Sequence, residues 1–472
     1  MRMYVGGEWL EGARTEDVIN PWDGTAIDTV PVAAAHDVEQ ALQAAVRGAQ
    51  RQRTTPAADR QAILNRAADL ADQRVDELAR TISLESGKLL TEAAGEASRA
   101  GDMLRLAAFE GAQLFGDSLP LDAHRGAGQG RLGFTVRQPC GVVVAITPFN
   151  YPSLLVLHKI APALAAGNSV ILKPARKTPL TSLLLTRILL DAGLDPDAIS
   201  CITGPGDELG PLLCGDPRVR KISFTGNSAT GAAITRIAGV KRLSLELGAS
   251  CPVIVLEDAD LELAARAVSI GGYVNAGQVC ISVQRVLVDE AVAGDFLDAL
   301  TPLVRAIRTG NPLAAETTMG VLVSESEAER VERAIEASVA AGATLLCGGE
   351  RAGTMLAPAV VASVDPTSPL SQDELFGPAV AVSSAGGVEE AIRLANASPY
   401  GLGAGIFTRD VGRALQFVRD VDAGNLHVNW TPLWRADLMP YGGLKASGIG
   451  KEGPRWAVEE MTETKTVIFH GT

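Results

Sequence analysis

Cysteine and histidine are scarce and unclustered. Six cysteines (Cys140, Cys201, Cys214, Cys251, Cys280 and Cys347) and five histidines are spread through 472 residues without a C-x-x-C pair. That excludes the usual zinc spacings and leaves no disulfide framework. No metal site is expected, and a reduced, cytoplasmic setting is the simplest expectation. No run of about eighteen apolar residues occurs, and the opening MRMYVGGEWLEG has no apolar signal core, so neither a spanning helix nor a leader is expected. Excess positive charge is also missing: 42 Lys and Arg against 55 Asp and Glu give a net charge of −13. Such a chain is not expected to bind nucleic acid or an anionic membrane non-specifically, and an anionic substrate would need a local cationic pocket. Aromatic residues make up only 4%. Internal repeats, linkers and low-complexity stretches are not found.

What is present is a chain long enough for two or three domains. Residues 36–116 carry apolar residues at three- and four-residue spacing and read as helices. Residues 131–139, RLGFTVRQP, read as an exposed alternating strand. From residue 141, continuous apolar strands (GVVVAITPF, SVILKPA, AISCITG, VRKISFTG) alternate with helical segments, the signature of a parallel sheet covered on both faces. The alternation restarts after about residue 248 with CPVIVLE and QRVLVDE and runs to about 440. A lone β-rich segment, TETKTVIFHG, closes the chain and needs a sheet elsewhere. The fold class expected is α/β.

Six stretches carry candidate chemistry. VRKISFTGNSATGAAITRIA is a strand, a glycine turn from Gly226 to Gly231, and a helix whose first N–H groups suit a pyrophosphate. By spacing alone it is more often an ordinary βα turn than a nucleotide site. The strand SVILKPARKTP ends in Lys173, Arg176 and Lys177. Basic groups beside an adenosine ribose suit a 2′-phosphate, and a solvated strand end is the plain alternative. NAGQVCISVQR holds Cys280, which alone reads as a small buried hydrophobe. A working cysteine needs an oxyanion donor and a base. Asn150, in ITPFNYP, offers an amide in a turn. Glu246, in the apolar LSLELGAS, offers a carboxylate whose burial would raise its pKa and make it a base near neutral pH, unless it sits in a salt bridge. DELFGP adds Glu374 and Phe376.

The segments TPFNYP, LKPA, FTGNSATG, LELGAS, NAGQVCISVQR, DELFGP and MPYGGLKASGIGKEG stand in the order and approximate spacing of the NAD(P)-dependent aldehyde dehydrogenase superfamily. The chain resembles that family over nearly its whole length. The resemblance implies Cys280 as nucleophile, Asn150 and the Cys280 N–H as oxyanion hole, and Glu246 as the base that activates the hydrolytic water. It implies cofactor contacts from Lys173, Arg176, Gly226, Asn227, Gly231, Glu374 and Phe376. Asn227 stands where serine is common, which alters little. Arg176 stands where NAD-strict members often carry Glu, so NADP, or use of both cofactors, is expected. The fold implied is a Rossmann-type dinucleotide domain (1–120 and 140–248), a catalytic domain (249–446) and a β-strand oligomerisation arm (121–139 and 460–472), in a homodimer or homotetramer.

Aligned on the same motifs, Arg99, Tyr151, His158 and Arg435 line the substrate tunnel. Two arginines and a histidine suit an anionic end group. Taken singly, Arg99 could instead pair with Glu96, His158 with a backbone group, and Arg435 with solvent. The subgroup resembled is that of lactaldehyde, non-phosphorylating glyceraldehyde-3-phosphate and phosphonoacetaldehyde dehydrogenases. A two- to four-carbon anionic or hydroxylated aldehyde is expected, phosphonoacetaldehyde first, with lactaldehyde, glyceraldehyde 3-phosphate, sulfolactaldehyde and succinic semialdehyde as alternatives. Rival classes are a CoA-acylating dehydrogenase, a non-catalytic family member, and a cysteine hydrolase, which would need a histidine paired to Cys280.

Overall fold

In the computed structural model, which describes residues 1–471, the apolar runs become strands buried on both faces. Five of them are parallel neighbours in the order Ile199–Cys201, Ser169–Lys173, Val142–Ile146, Val219–Thr225 and Arg242–Glu246. Parallel neighbours need crossovers, supplied here by the helices Leu154–Ala165, Leu180–Asp191, Gly206–Gly215 and Ser228–Ala238. The chain starts in the middle, at Val142–Ile146, works to one edge, then returns to the other side. The strand order therefore reverses between Val142–Ile146 and Val219–Thr225, and the crevice at the carboxyl ends of those strands is where such sheets bind ligands. The hairpin Met3–Val5/Glu8–Leu10 closes one edge and Gly448–Ile449 the other, so the late chain returns to the first sheet.

A second sheet runs Thr344–Cys347, Ala359–Ala362, Ala379–Ala385, Val283–Asp289, Cys251–Val255, Gly403–Phe407 and Asn425–Val428, antiparallel only at its first pair. The closing segment is not left alone. Thr462–His470 pairs along its full length with Arg131–Pro139, from Thr462 against Pro139 to His470 against Arg131, and Ser118–Leu119 adds a third strand.

The early helical stretch divides into Ala35–Thr54, Ala57–Gln73, Val75–Ser86, Leu90–Ala97 and Ala100–Gly111. Pro56 precedes the second of these, and Gly87, at φ 76°, ends the third in a left-handed cap. Small residues let these helices approach closely: Ala67, Ala68 and Ala71 share a core with Ala100, Met103, Leu104 and Ala107. Among the described residues no helix is long and apolar enough to cross a membrane.

Candidate active site

The loop before Cys280 is strained. Asn275, Ala276 and Gly277 have φ of 52°, 54° and 71°, a left-handed turn that costs roughly 1–3 kcal/mol at each non-glycine residue and persists only when the surroundings hold it. Several groups do. Gln278 Nε2 donates to the Asn275 carbonyl at 3.0 Å, and its Oε1 accepts from Val323 N at 2.9 Å. Glu92 accepts from Asn275 N at 3.2 Å, and Asn275 Nδ2 donates to the Asn150 carbonyl at 3.2 Å. A Cβ on Gly277 would sit 2.1 Å from the Gly377 carbonyl oxygen. The turn presents Cys280 where two cavities meet. One, of about 90 Å³, is lined by Arg99, Tyr151, His158, Arg435 and Tyr441 as well as Cys280. The other is a groove of about 730 Å³ that also holds Asn150, Gly226, Asn227, Glu246, Glu374 and Phe376.

The proton chemistry is set by burial. Glu246 ends its strand fully enclosed, with neither carboxylate oxygen hydrogen-bonded. Burial first, and the nearby Glu452 carboxylate second, push its pKa up to about 7. Burial and the Glu246 charge push the Cys280 thiol well above its ordinary value. Asn150 Nδ2 donates to the Gln278 carbonyl at 2.9 Å, which leaves its second amide hydrogen free, and among the described residues the Cys280 N–H has no acceptor. Two donors beside the thiol are what a developing oxyanion needs.

The dinucleotide groove fits the cofactor on its own geometry. Asn227 Oδ1 caps the helix Ser228–Ala238 by accepting from Thr230 N at 2.8 Å, leaving its amide NH₂ outward. A Cβ on Gly231 would lie 2.5 Å from Leu247, so glycine is what lets that helix reach the strand end. Lys173 is buried with the Pro174 carbonyl, at 2.9 Å, as its hydrogen-bond partner, and burial lowers its pKa to about 8. An ammonium so enclosed suits neutral hydroxyl acceptors. Phe376 has φ 51° and meets Phe149 edge-on at 5.8 Å, and burial raises the Glu374 pKa to about 7. Arg176 is not free. It forms a two-pronged pair with Glu16 at 2.7 and 2.9 Å, its side chain 60% exposed.

Arg99, His158 and Arg435 do converge on the small cavity, but with partners that differ from the alternatives weighed for them. Arg99 pairs with Asp437 through Nε at 3.0 Å and through Nη2, not with Glu96. Glu96 is buried on Lys88 at 2.5 Å and caps the helix Leu154–Ala165 by accepting from Ser153 N and Leu154 N. His158 contacts Asp437 at 3.4 Å and Arg435 at 3.2 Å, not a backbone group. Burial, followed by the Arg435 charge, lowers its pKa, which favours the uncharged ring. Arg435 is not a solvent cation: its side chain is 11% exposed, it binds Glu452 at 3.1 Å, and its Nε has no partner. Two cations rather than three therefore serve the pocket, each already facing a carboxylate.

Reading along the chain missed Glu92, Gln278, Lys159, Glu452, Asp437, Tyr441 and Glu16. Lys159 had a visible signal, a lysine inside the apolar helix SLLVLHKIAPALAAG. It is fully buried on Glu452 at 2.9 Å.

The aldehyde dehydrogenase family model matches residues 9–467. The 3-sulfolactaldehyde dehydrogenase of Priestia aryabhattai is 40% identical over 468 residues, covering 99% of this chain and 98% of that protein. The lactaldehyde dehydrogenase of Methanococcus vannielii is 36% identical over 473 residues, covering 99% and 100%. The crystal structure of glyceraldehyde-3-phosphate dehydrogenase GapN from Methanocaldococcus jannaschii, complexed with NADP, superposes with a TM-score of 0.93 at 36% identity, covering 97% of this chain and 100% of that one.

Proposed function

The chain belongs to the aldehyde dehydrogenase family, is an NAD(P)-dependent oxidoreductase, and, we propose, oxidises a short aldehyde with an anionic or hydroxylated end to the carboxylate through Cys280. The observation that carries this reading is the position of Cys280 at the junction of a small, mostly apolar cavity that carries Arg99 and Arg435 and a groove of dinucleotide size. Cys280 adds as thiolate to the aldehyde carbon. The free amide hydrogen of Asn150 and the Cys280 N–H hold the oxyanion. The nicotinamide, when bound in the groove, supplies the hydride acceptor. Lys173 orients the adenosine ribose, Gly226, Asn227 and Gly231 shape the pyrophosphate turn, and Glu374 and Phe376 bracket the nicotinamide end. The thioester left on Cys280 is hydrolysed by water that Glu246 deprotonates, which a pKa of about 7 permits. A base in that position favours hydrolysis over acyl transfer to CoA.

For the substrate, the unpartnered Nε of buried Arg435, with Arg99 at the cavity mouth, supports an anionic end group. A cavity of about 90 Å³ supports a short chain. Among the relatives described above, the names carry sulfolactaldehyde, lactaldehyde and glyceraldehyde 3-phosphate, and phosphonoacetaldehyde is in none of them. The proposal therefore moves from phosphonoacetaldehyde to three-carbon 2-hydroxyaldehydes, 3-sulfolactaldehyde first. Arg176 supports binding of a 2′-phosphate only to the extent that it leaves Glu16, so use of both NAD and NADP is proposed.

The proposed organisation keeps the dinucleotide domain at 1–120 and 140–248, the catalytic domain at 249–446 and the arm at 121–139 and 460–472. The exposed apolar residues Leu132, Val136, Ile468 and Phe469 on the arm support a homodimer or homotetramer, in the cytoplasm. The test is a panel of short neutral and anionic aldehydes with each cofactor, read by the absorbance of the reduced nicotinamide. Preference for anionic aldehydes is expected. Equal turnover of propanal would remove the anion pocket.

A further inference from the structure

The Tyr441 hydroxyl lies 2.9 Å from Cys280 Sγ, and none of the roles above uses it. Its placement is rigid. Tyr441 N donates to the Glu452 carbonyl at 3.0 Å and Glu452 N donates back at 2.6 Å, while the Glu452 carboxylate holds Lys159 and Arg435. The ring is buried, and the Arg435 guanidinium covers its face 3.8 Å from the centroid. A cation on the face of a phenol draws on the ring's electrons and makes its O–H a stronger donor. A thiolate is a much better acceptor than a thiol or a thioester.

We infer that Tyr441 is a catalytic residue whose O–H donates to Cys280 Sγ and holds the sulfur as the thiolate that attacks the aldehyde. The inference rests on the reading of Cys280 as nucleophile. The proton that leaves Sγ passes to water along the groove that Cys280 also lines, which leaves Glu246 free for the later hydrolysis. Tyr441 keeps its own, since burial, then the Cys280 and Glu246 charges, push its hydroxyl far above the ordinary tyrosine range. Once the sulfur is acylated the acceptor weakens, so the hydrogen bond favours the attacking state over the thioester. The other groups facing the thiol are Glu246, Arg435, Arg99, Tyr151 and His158, with Lys159 and Glu452 behind them. Tyr441→Phe changes none of them.

The test is the pH dependence of iodoacetamide alkylation of the cofactor-free enzyme, followed at the Cys280 peptide. A charge-assisted hydrogen bond of ordinary strength corresponds to roughly one to two pH units. The inflection for Tyr441→Phe is therefore expected that far above wild type, with roughly ten- to hundredfold slower alkylation below both inflections. Tyr441→Met, also without a donor, must shift in the same direction, and melting temperature and NAD binding report the fold of each variant. Superimposable pH profiles, or a downward shift, would overturn the inference. Full aldehyde turnover by Cys280→Ala would instead overturn the nucleophile reading, which separates the two failures.

Discussion

Arg435→Met is the substitution that most directly probes what the small cavity is for. The change removes a buried cation of similar length and leaves Glu452 still paired to Lys159 at 2.9 Å, so no carboxylate is stranded alone. Two things are lost. One is common to all aldehydes: the cation over the Tyr441 ring, with its contacts to Glu452 and His158. The other, the contact from Nε, is felt only by a substrate with an anionic end. A hydrogen bond between charged groups is worth about 1.5–3 kcal/mol, which is roughly a 10- to 150-fold change in kcat/KM. The ratio of kcat/KM for 3-sulfolactaldehyde to that for propanal cancels the common loss, so that ratio is expected to fall about 10- to 150-fold in Arg435→Met. Arg435→Lys keeps the charge without the planar fork and should fall between. Steady-state kinetics on both substrates, with a melting curve for each variant, reads the result. A ratio unchanged within about twofold, with both substrates equally impaired, would refute the anion contact and leave Arg435 as a support for Tyr441 and Glu452.

Glu246 works as a base only when ionised, so kcat should rise through about pH 7 and level above it. Glu246→Gln should lose steady-state turnover but keep a stoichiometric burst of reduced cofactor in stopped flow. Asn150→Ala removes one oxyanion donor and should lower kcat by about 10²- to 10³-fold with little change in cofactor Kd. Glu16→Gln frees Arg176. Because that pair is exposed and worth only about 0.2–1 kcal/mol, NADP binding should tighten no more than roughly fivefold while NAD is unchanged, as calorimetry can show. Phe469→Asp on the arm should lower the oligomeric state measured by light scattering.

Much of the fold was legible along the chain because parallel strands buried on both faces are continuous apolar runs, as at Val142–Ile146 and Ser169–Lys173. Cys280, Glu246 and Asn150 could be proposed from the sequence because each sits in a local motif. The partners were not, because pairing across distant segments leaves no local pattern. Arg99 finds Asp437 338 residues away, Lys159 finds Glu452 293 away, and Arg176 finds Glu16 160 away. Tyr441 lay in a quoted motif, yet nothing in MPYGG says that its hydroxyl meets a sulfur 161 residues earlier in the chain. The residues beside Arg99 suggested Glu96 by helical spacing, but Glu96 is drawn instead into the buried Lys88 pair and the helix cap.

The central claim is that the substrate's acyl group is carried on Cys280. Its most direct test is the intact mass of Glu246→Gln enzyme mixed with aldehyde and oxidised cofactor, followed by peptide mapping. The account predicts one added acyl group per chain, located on the peptide containing Cys280 and absent from the Cys280→Ala, Glu246→Gln double variant. An enzyme that reduces cofactor with no added mass, or that carries the acyl group on any other residue, would contradict it.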